Sequence, residues 1–320
     1  MKVERQVQLD MYEMMLRIRT FEMKARELFL AGQLPGFLHL YPGQEAIATG
    51  VCANLLPTDQ ICSTHRGHGH CIAKGGKTRL MMAELYGKAT GYCGGKGGSM
   101  HIADPDLGIL GANGIVGAGL PIALGAAFAM KYKKTKDVSV VFFGDGASNS
   151  GRVHEAMNMA ALYDLPLIFV CENNGVAFMT RQEYHQKIDD ISVRAAGYGF
   201  EGITADGNDV LEVYELTNQA VEKARNGGGP TLLEFKSWRQ LGHTLGDKEL
   251  YRTAKEKEDW LKKDPIPRFA AVLLENNTAG QEDLAQIEQK IIAEIDEAVQ
   301  FSIDSPLPEL STLVAGVYAE

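Results

Sequence analysis

The sequence is poor in cysteine and has no hydrophobic run long enough to span a membrane. Its five cysteines are odd in number and form no Cys-x-x-Cys pair, which predicts reduced thiols and not a disulfide framework. The longest apolar segment, residues 114–130, is short for a span and rich in Gly and Ala. The N-terminus lacks the apolar core of a secretory signal, and its acidic residues argue against a transit peptide. We therefore expect a cytoplasmic protein.

Positive charge is also scarce. The chain has 32 Lys and Arg against 41 Asp and Glu, a net charge of −9. This balance disfavours binding to nucleic acid or to an anionic membrane, because both attract basic surfaces. The length of 320 residues suits one large α/β domain with a smaller appendage. Small metabolites and protein partners remain as ligands.

A strand, a helix and a second strand are predicted in the middle of the chain. The apolar runs 137–143 and 167–171 predict buried strands, and 149–165 predicts a helix between them, capped by Ser148 or Asn149. The short connections favour a right-handed parallel crossover. Both strands then end at the same edge of the sheet, where open α/β sheets bind ligands.

Polar residues follow both of these strands. Asp145 lies between two glycines after the first strand, and Asn173 and Asn174 follow the second. A carboxylate and an amide oxygen at one edge suit Mg²⁺, which prefers oxygen ligands. The alternative is that Asp145 only ends a strand and the asparagines form a turn. The pattern alone leaves both interpretations open.

The rest of the chain continues the α/β pattern. Periodicity predicts helices over 9–31 and 210–226, strands over 199–207 and 230–238, and a helix-favouring stretch from 264 to about 304. We divide the chain into an α/β domain, residues 1–263, and a helical C-terminal extension, residues 264–320.

Small residues recur every four positions in segment 114–130. Gly117, Pro121, Gly125 and Ala129 would form one face of a helix, which permits close backbone approach. Packing in the core and a subunit interface are both compatible with this face.

A histidine-rich segment, residues 63–75, is the richest polar cluster. The positions of His65, His68, His70 and Cys71 match no standard zinc spacing. Arg66 is better suited to an anion, because its guanidinium presents several donors to phosphate oxygens.

Several segments together resemble one family. They are FLHLYPGQEA (37–46), THRGHGHCIAKG (64–75), GKGGSMHIAD (95–104), GANGIVGAG (111–119), GDGASNSGRVHEAMNMAA (144–161), ENNGVAF (172–178) and YRTAKEKEDWLKKDPI (251–266). In this order they resemble the alpha subunit of the thiamine diphosphate-dependent component of 2-oxoacid and acetoin dehydrogenase complexes, and the histidine-rich segment is most similar to the acetoin branch. The resemblance implies the thiamine diphosphate-binding fold, a mainly parallel central sheet with helices on both faces and a helical C-terminal tail.

The resemblance also implies a set of site residues. Asp145 and Asn174 by their side chains, and Val176 by its carbonyl, would bind Mg²⁺. His39 and His243 would lie near the reacting carbon as catalytic residues. The implied contacts to thiamine diphosphate are Arg66, His65, Gly114, Val116, Asp145, Gly146, Ala147, Asn174 and Arg239. No role is implied for His68, His70 or His101.

The implied activity is cleavage of acetoin, or decarboxylation of a 2-oxoacid, with transfer of the acyl unit to a lipoyl-bearing acyltransferase. A beta subunit would supply the glutamate that faces the aminopyrimidine, in an assembly of two alpha and two beta chains. Pyruvate and branched-chain 2-oxoacid dehydrogenase alpha subunits are the alternatives, and a non-catalytic partner subunit is a further one. The loop 239–247 departs from the family pattern at Gln240, Leu241 and Thr244, which weakens the acetoin assignment more than the cofactor assignment. A dinucleotide-binding oxidoreductase is disfavoured, because no G-x-G-x-x-G follows an early strand.

Overall fold

A six-stranded parallel sheet forms the centre of the molecule. The structure is a computed structural model and describes residues 3–315. The strand order is β2-β1-β3-β4-β8-β7, with every neighbouring pair parallel. A separate antiparallel hairpin, β5–β6, follows β4. The strands are β1 Gln60–Cys62, β2 Ile109–Gly111, β3 Ser139–Gly144, β4 Leu167–Asn173, β5 Val176–Ala177, β6 Thr180–Arg181, β7 Glu201–Asp206 and β8 Thr231–Lys236.

Helices surround this sheet and continue beyond it at the C-terminus. They are α1 Arg5–Leu30, α2 Glu45–Cys52, α3 His68–Ala73, α4 Thr78–Leu85, α5 Gly119–Lys133, α6 Gly151–Leu162, α7 Gln182–His185, α8 Val210–Arg225, α9 Ala254–Leu261, α10 Pro265–Glu275 and α11 Gln281–Asp304. The predicted fold class, a mainly parallel α/β sheet with helices and a helical C-terminal region, is confirmed. No helix within residues 3–315 is long and apolar enough to cross a membrane.

The central strands are apolar on both faces because both faces are covered. In β3, Val140 and Phe142 pack into one core cluster, and Val141 and Phe143 pack into another on the opposite side. This alternation follows from the period of two in a strand. Continuous apolar strands are typical of parallel sheets buried between helix layers.

The crossover from β3 through α6 to β4 is as predicted, and β3 pairs with β4 in parallel register. The predicted cap is wrong, because residues 146–149 form a 3₁₀ turn and Ser150 occupies the N-cap without a side-chain bond. The two short strands β1 and β2 were not predicted, since three residues each are too few to show a period.

The helix predicted within 114–130 begins only at Gly119. Gly117 precedes it with φ of 80°, a left-handed conformation that glycine adopts without strain. Pro121, Gly125 and Ala129 on α5 are exposed, whereas Ala123 and Ala127 face the core. Core packing within this chain is therefore the wrong interpretation of the three exposed small residues.

The C-terminal helices pack back onto the start of the chain. Helix α10 contacts α1, and α11 contacts both α1 and α4. Arg19 joins the regions by donating to Glu45 Oε2 at 3.0 Å and to Asp264 Oδ2 at 3.0 Å. The division at residues 263 and 264 stays a prediction, and residues 316–320 of its second part lie outside the described residues.

Candidate active site

A cavity of about 350 Å³ opens at the carboxyl edge of the sheet. Segments that follow β1, β3 and β4 supply its wall, as the crossover rule predicts. Most residues expected at the site line it: His65, Arg66, Val116, Asp145, Gly146, Ala147, Asn174, Val176, Arg239 and His243. His39 contacts the cavity residues His65 and His243 through its ring, and Gly114 lies between the lining residues Asn113 and Ile115.

Two side-chain oxygens in the cavity wall have unmet bonding capacity. Asp145 Oδ2 and Asn174 Oδ1 are both buried and lack a hydrogen-bond partner among residues 3–315. The Asn174 amide is oriented by its Nδ2, which donates to Gln44 Oε1 at 3.1 Å. Because an unpaired buried oxygen is costly, these two atoms fit a bound cation that would satisfy them. The carboxylate and amide chemistry of this pair suits Mg²⁺.

Two buried guanidinium groups also line the cavity. Arg66 is 5% exposed and Arg239 is 2% exposed, and neither forms an ion pair with a carboxylate within the described part of the chain. Arg66 donates to the carbonyls of Leu40 and His243, and Arg239 donates to the carbonyl of Leu241. Burial, and then the Arg239 charge, lowers the pKa of Arg66. Buried cations without acidic partners fit a polyanion such as a diphosphate.

Three histidines cluster beside these arginines. The ring centres of His39 and His65 are 4.9 Å apart, and those of His39 and His243 are 5.2 Å apart. Burial, followed by the Arg66 charge, lowers the pKa of His39 to about 4, of His65 to about 2 and of His243 to about 3. All three rings are therefore neutral at pH 7.

The same cluster is compact enough to hold a metal ion, with one ring nitrogen from each histidine within 4.8 Å of the others. The charges of Arg66 and Arg239 disfavour protonation of these rings. For the same reason they disfavour binding of a metal ion there. Neutral rings beside two cations are better suited to forming a hydrogen bond with a substrate oxygen than to binding a metal ion.

The remaining histidines of the 63–75 segment serve buried networks. His68 lies between Ser99 Oγ at 2.9 Å and Glu22 Oε2 at 3.2 Å. His70 lies between Ser63 Oγ at 2.8 Å and Glu172 Oε1 at 3.0 Å. These partners explain why His68 and His70 do not join His65 in a metal cluster.

His101 lies on the glycine-rich loop before β2. A Cβ at Gly114 would lie 3.2 Å from His101 Nε2, so the two segments are in close contact. The loop wraps around the buried Glu84 carboxylate, which accepts four backbone N–H bonds at 2.8 to 2.9 Å from Cys93, Gly95, Gly97 and Gly98.

The loop 239–252 presents His243 to the cavity and is held internally. Asp247 Oδ2 accepts from the His243 N–H at 2.8 Å and from the Tyr251 hydroxyl at 2.7 Å. The Arg252 guanidinium stacks on Trp238 at 3.8 Å and donates to the Arg239 carbonyl at 2.7 Å. Gln240, one of the departures from the family pattern, bonds to Asp264 at 2.6 Å.

Some residues at the site were missed by sequence reasoning. Gln44, Glu172 and Phe178 line the cavity, and His185 Nε2 lies 3.4 Å from Asp145 Oδ2. Gln44 and Glu172 stand inside segments that the resemblance rests on, so a closer look at polar residues there could have found them. His185 had no such signal, because the turn that returns it to Asp145 is not visible in the periodicity.

The family model of the dehydrogenase E1 component matches residues 12–311. The chain belongs to the dehydrogenase E1 family. It is 54% identical over 311 residues, 97% of this chain and 93% of the relative, to the alpha subunit of an acetoin:2,6-dichlorophenolindophenol oxidoreductase of Bacillus subtilis.

Two further relatives span both branches of the E1 family. The chain is 45% identical over 317 residues, 99% of this chain and 95% of the relative, to the corresponding acetoin subunit of Cupriavidus necator. It is 42% identical over 318 residues, 98% of this chain and 74% of the relative, to the chloroplastic pyruvate dehydrogenase E1 component subunit alpha-3 of Arabidopsis thaliana. The chain is thus an E1-type alpha subunit, part of a class of oxidoreductases that depend on thiamine diphosphate and partner with a beta subunit. The resemblance inferred from the motifs is confirmed.

Proposed function

We propose that this E1 alpha subunit binds the diphosphate end of thiamine diphosphate through Mg²⁺. The side chains of Asp145 and Asn174 and the carbonyl of Val176 would hold the ion. The observation that carries the proposal is that one cavity is lined both by two unsatisfied buried oxygens and by two buried arginines that lack acidic partners among the described residues.

The backbone after β3 supports this assignment. Gly146 and Ala147 start the 3₁₀ turn that follows Asp145, where backbone N–H groups are available to phosphate oxygens. A Cβ at Gly146 would lie 2.6 Å from the Ala177 Cβ, so only glycine permits the β5–β6 hairpin to pack here. We further assign Arg66, Arg239 and His65 to the cofactor's anionic end, and the backbones of Gly114 and Val116 to its aminopyrimidine.

We propose acetoin as the substrate. In E1 enzymes the cofactor supplies the carbon nucleophile that attacks a substrate carbonyl. This chain contributes neutral histidines: Arg66 Nη2 lies 3.1 Å from His243 Nδ1, which makes Nδ1 the acceptor and leaves the proton on Nε2. An Nε2–H donor stabilises developing negative charge on a substrate oxygen, and His39 lies beside it.

The charge distribution supports a neutral substrate over a 2-oxoacid. Arg66 and Arg239 are assigned to the diphosphate, and the three histidines are neutral, so no cation remains in the described cavity to pair with a substrate carboxylate. Two relatives are acetoin oxidoreductase subunits by name. Pyruvate is the second candidate, supported by the 42% identical pyruvate dehydrogenase subunit.

We propose that the active site is completed by a beta subunit, in an assembly of two alpha and two beta chains, with a lipoyl-bearing acyltransferase as the acyl acceptor. The exposed face of α5 supports a close interface, since Ile122 and Phe128 are each 46% exposed and no atom would contact a Cβ at Gly125. A cytoplasmic location is part of the same proposal, supported by five free cysteines.

The test is steady-state turnover with 2,6-dichlorophenolindophenol as electron acceptor. The chain is purified alone and with a co-expressed beta subunit, and each sample is assayed with acetoin, pyruvate and a branched 2-oxoacid. We expect turnover only in the co-expressed sample and a larger kcat/KM for acetoin. Full turnover by the isolated chain would refute the partner requirement, and a preference for a 2-oxoacid would refute the substrate.

A further inference from the structure

His185 lies directly beside the proposed magnesium site. Its Nε2 is 3.4 Å from Asp145 Oδ2, and both atoms are buried without a hydrogen-bond partner in the described residues. We propose that His185 is a positioning residue for the metal site: its ring donates from Nε2 to Asp145 and fixes the carboxylate in the orientation that binds Mg²⁺. This inference rests on the proposed function.

The chain path brings His185 to this position. After β4, the hairpin β5–β6 pairs Val176 with Arg181, and α7 begins at the next residue. The Gln182 N–H donates to the Gly175 carbonyl at 2.9 Å, which closes the turn. One short segment therefore carries both Val176, a proposed metal ligand, and His185, which returns to Asp145.

The neighbours of His185 determine which ring nitrogen carries the proton. Arg194 is only a donor, and its Nη2 lies 2.9 Å from Asn149 Oδ1. The Asn149 amide is thereby oriented with its oxygen toward Arg194. Its Nδ2 then faces the ring and donates to His185 Nδ1 at 2.9 Å.

An accepting Nδ1 has one consequence for the other side of the ring. Because Nδ1 accepts from Asn149, the ring N–H is on Nε2, the atom nearest Asp145. This tautomer excludes His185 as a direct metal ligand, because Nε2 has no free lone pair. A carboxylate oxygen has two lone pairs, so Asp145 Oδ2 can accept from His185 and still bind the ion.

The distance is compatible with this role. A separation of 3.4 Å is longer than a normal N–H···O bond, and a shift of about 0.5 Å brings it to the usual range. Residues that hydrogen-bond to metal ligands orient them, and their loss typically weakens metal binding about 10- to 100-fold. We expect His185 to act in this way on Asp145.

The test is a calorimetric titration of Mg²⁺ into the complex of this chain with its beta subunit, at saturating thiamine diphosphate. We expect H185A to weaken Mg²⁺ binding about 10- to 100-fold. H185Q should remain near wild type, because the Gln Nε2 occupies a similar place to the His Nε2. H185N should not rescue binding, because its shorter amide mimics Nδ1. The matched control is H154Q, since His154 bonds to the Tyr198 hydroxyl away from the cavity.

Three results would overturn the inference. Wild-type Mg²⁺ affinity in H185A, or equal affinities in H185Q and H185N, would remove the positioning role while leaving the proposed function intact. If H185A does not fold, the H185Q and H185N pair decides. Failure of the wild-type complex to bind Mg²⁺ with thiamine diphosphate would refute the proposed function, and this inference with it.

Discussion

The Arg66 Nη2 atom lies 3.1 Å from His243 Nδ1 and donates to the His243 carbonyl at 2.7 Å. One buried cation thus contacts both the ring and the backbone of His243, a proposed catalytic residue. The neutral His243 ring then carries its proton on Nε2, from which it can donate a hydrogen bond to a substrate oxygen. This contact links the cofactor side of the cavity to its substrate side.

Removal of the His243 ring tests its role as a neutral donor. We expect H243A to lower kcat about 100- to 1000-fold, the usual cost of losing one donor to a developing oxyanion. H243Q should recover much of this loss, because its amide N–H can replace Nε2–H. Steady-state kinetics of the complex with the beta subunit measure both variants. An H243Q variant as inactive as H243A would contradict the hydrogen-bond role.

The lowered histidine pKa values predict how stability depends on pH. In the unfolded chain the histidine side chains have pKa values near 6.5. In the folded chain the pKa values of His39, His65 and His243 are about 4, 2 and 3. Between pH 6.5 and these values the unfolded state binds more protons, so the contribution to stability is complete above about pH 6.5 and is lost as pH falls.

We therefore expect the free energy of unfolding of the cofactor-free chain to fall from pH 7 to pH 5. In H65N, which cannot titrate at that position, the slope should be smaller by up to about 1 kcal/mol per pH unit. Urea unfolding at pH 5, 6 and 7 measures both slopes. Equal slopes in the two proteins would show that His65 is not held neutral.

The Glu84 carboxylate should be important for stability although it lies outside the cavity. Gln at this position keeps the size but turns an NH₂ group toward backbone donors, so at least one N–H loses its acceptor. We expect E84Q to lower the free energy of unfolding by about 2 kcal/mol or more. E275Q, at the exposed last residue of α10, is the matched control and should change it by less than about 0.5 kcal/mol. Similar values for both variants would contradict a role for the carboxylate.

The exposed small-residue face of α5 predicts that a bulky substitution there will leave the chain folded but prevent its assembly with the beta subunit. G125L adds a side chain where no atom lies within 4 Å, so the isolated chain should remain folded. The same side chain should prevent close approach of a partner helix and abolish assembly with the beta subunit. Light scattering after size-exclusion chromatography measures this, with Q289L on the exposed face of α11 as control. Assembly of G125L at wild-type affinity would place the interface elsewhere.

Local sequence signals identified the elements that position the site. The β3 and β4 strands were predictable because apolar runs bounded by turns are buried on both faces in a parallel sheet. From the crossover, the convergence of Asp145 and Asn174 at one sheet edge followed without further information. The cofactor and the subunit type came from the resemblance of several motifs, which local physics alone would not provide.

Other features depend on contacts between distant segments and had no local signal. His185 meets Asp145 only because a two-residue hairpin and one turn of helix fold back over β3. The lowered pKa of His65 depends first on its burial and also on the charge of Arg239 from a distant segment. The outward orientation of Gly125 depends on which side of α5 meets the sheet, and a helix with small residues all around does not indicate it.

The most direct test of the account is a calorimetric titration of thiamine diphosphate into the complex with its beta subunit, with and without Mg²⁺. The account predicts Mg²⁺-dependent binding to the wild type and its loss in D145A, with the cofactor-free D145A complex still folded, because Asp145 follows the end of β3 and lines the cavity. Undiminished binding of Mg²⁺ and thiamine diphosphate by D145A would contradict it.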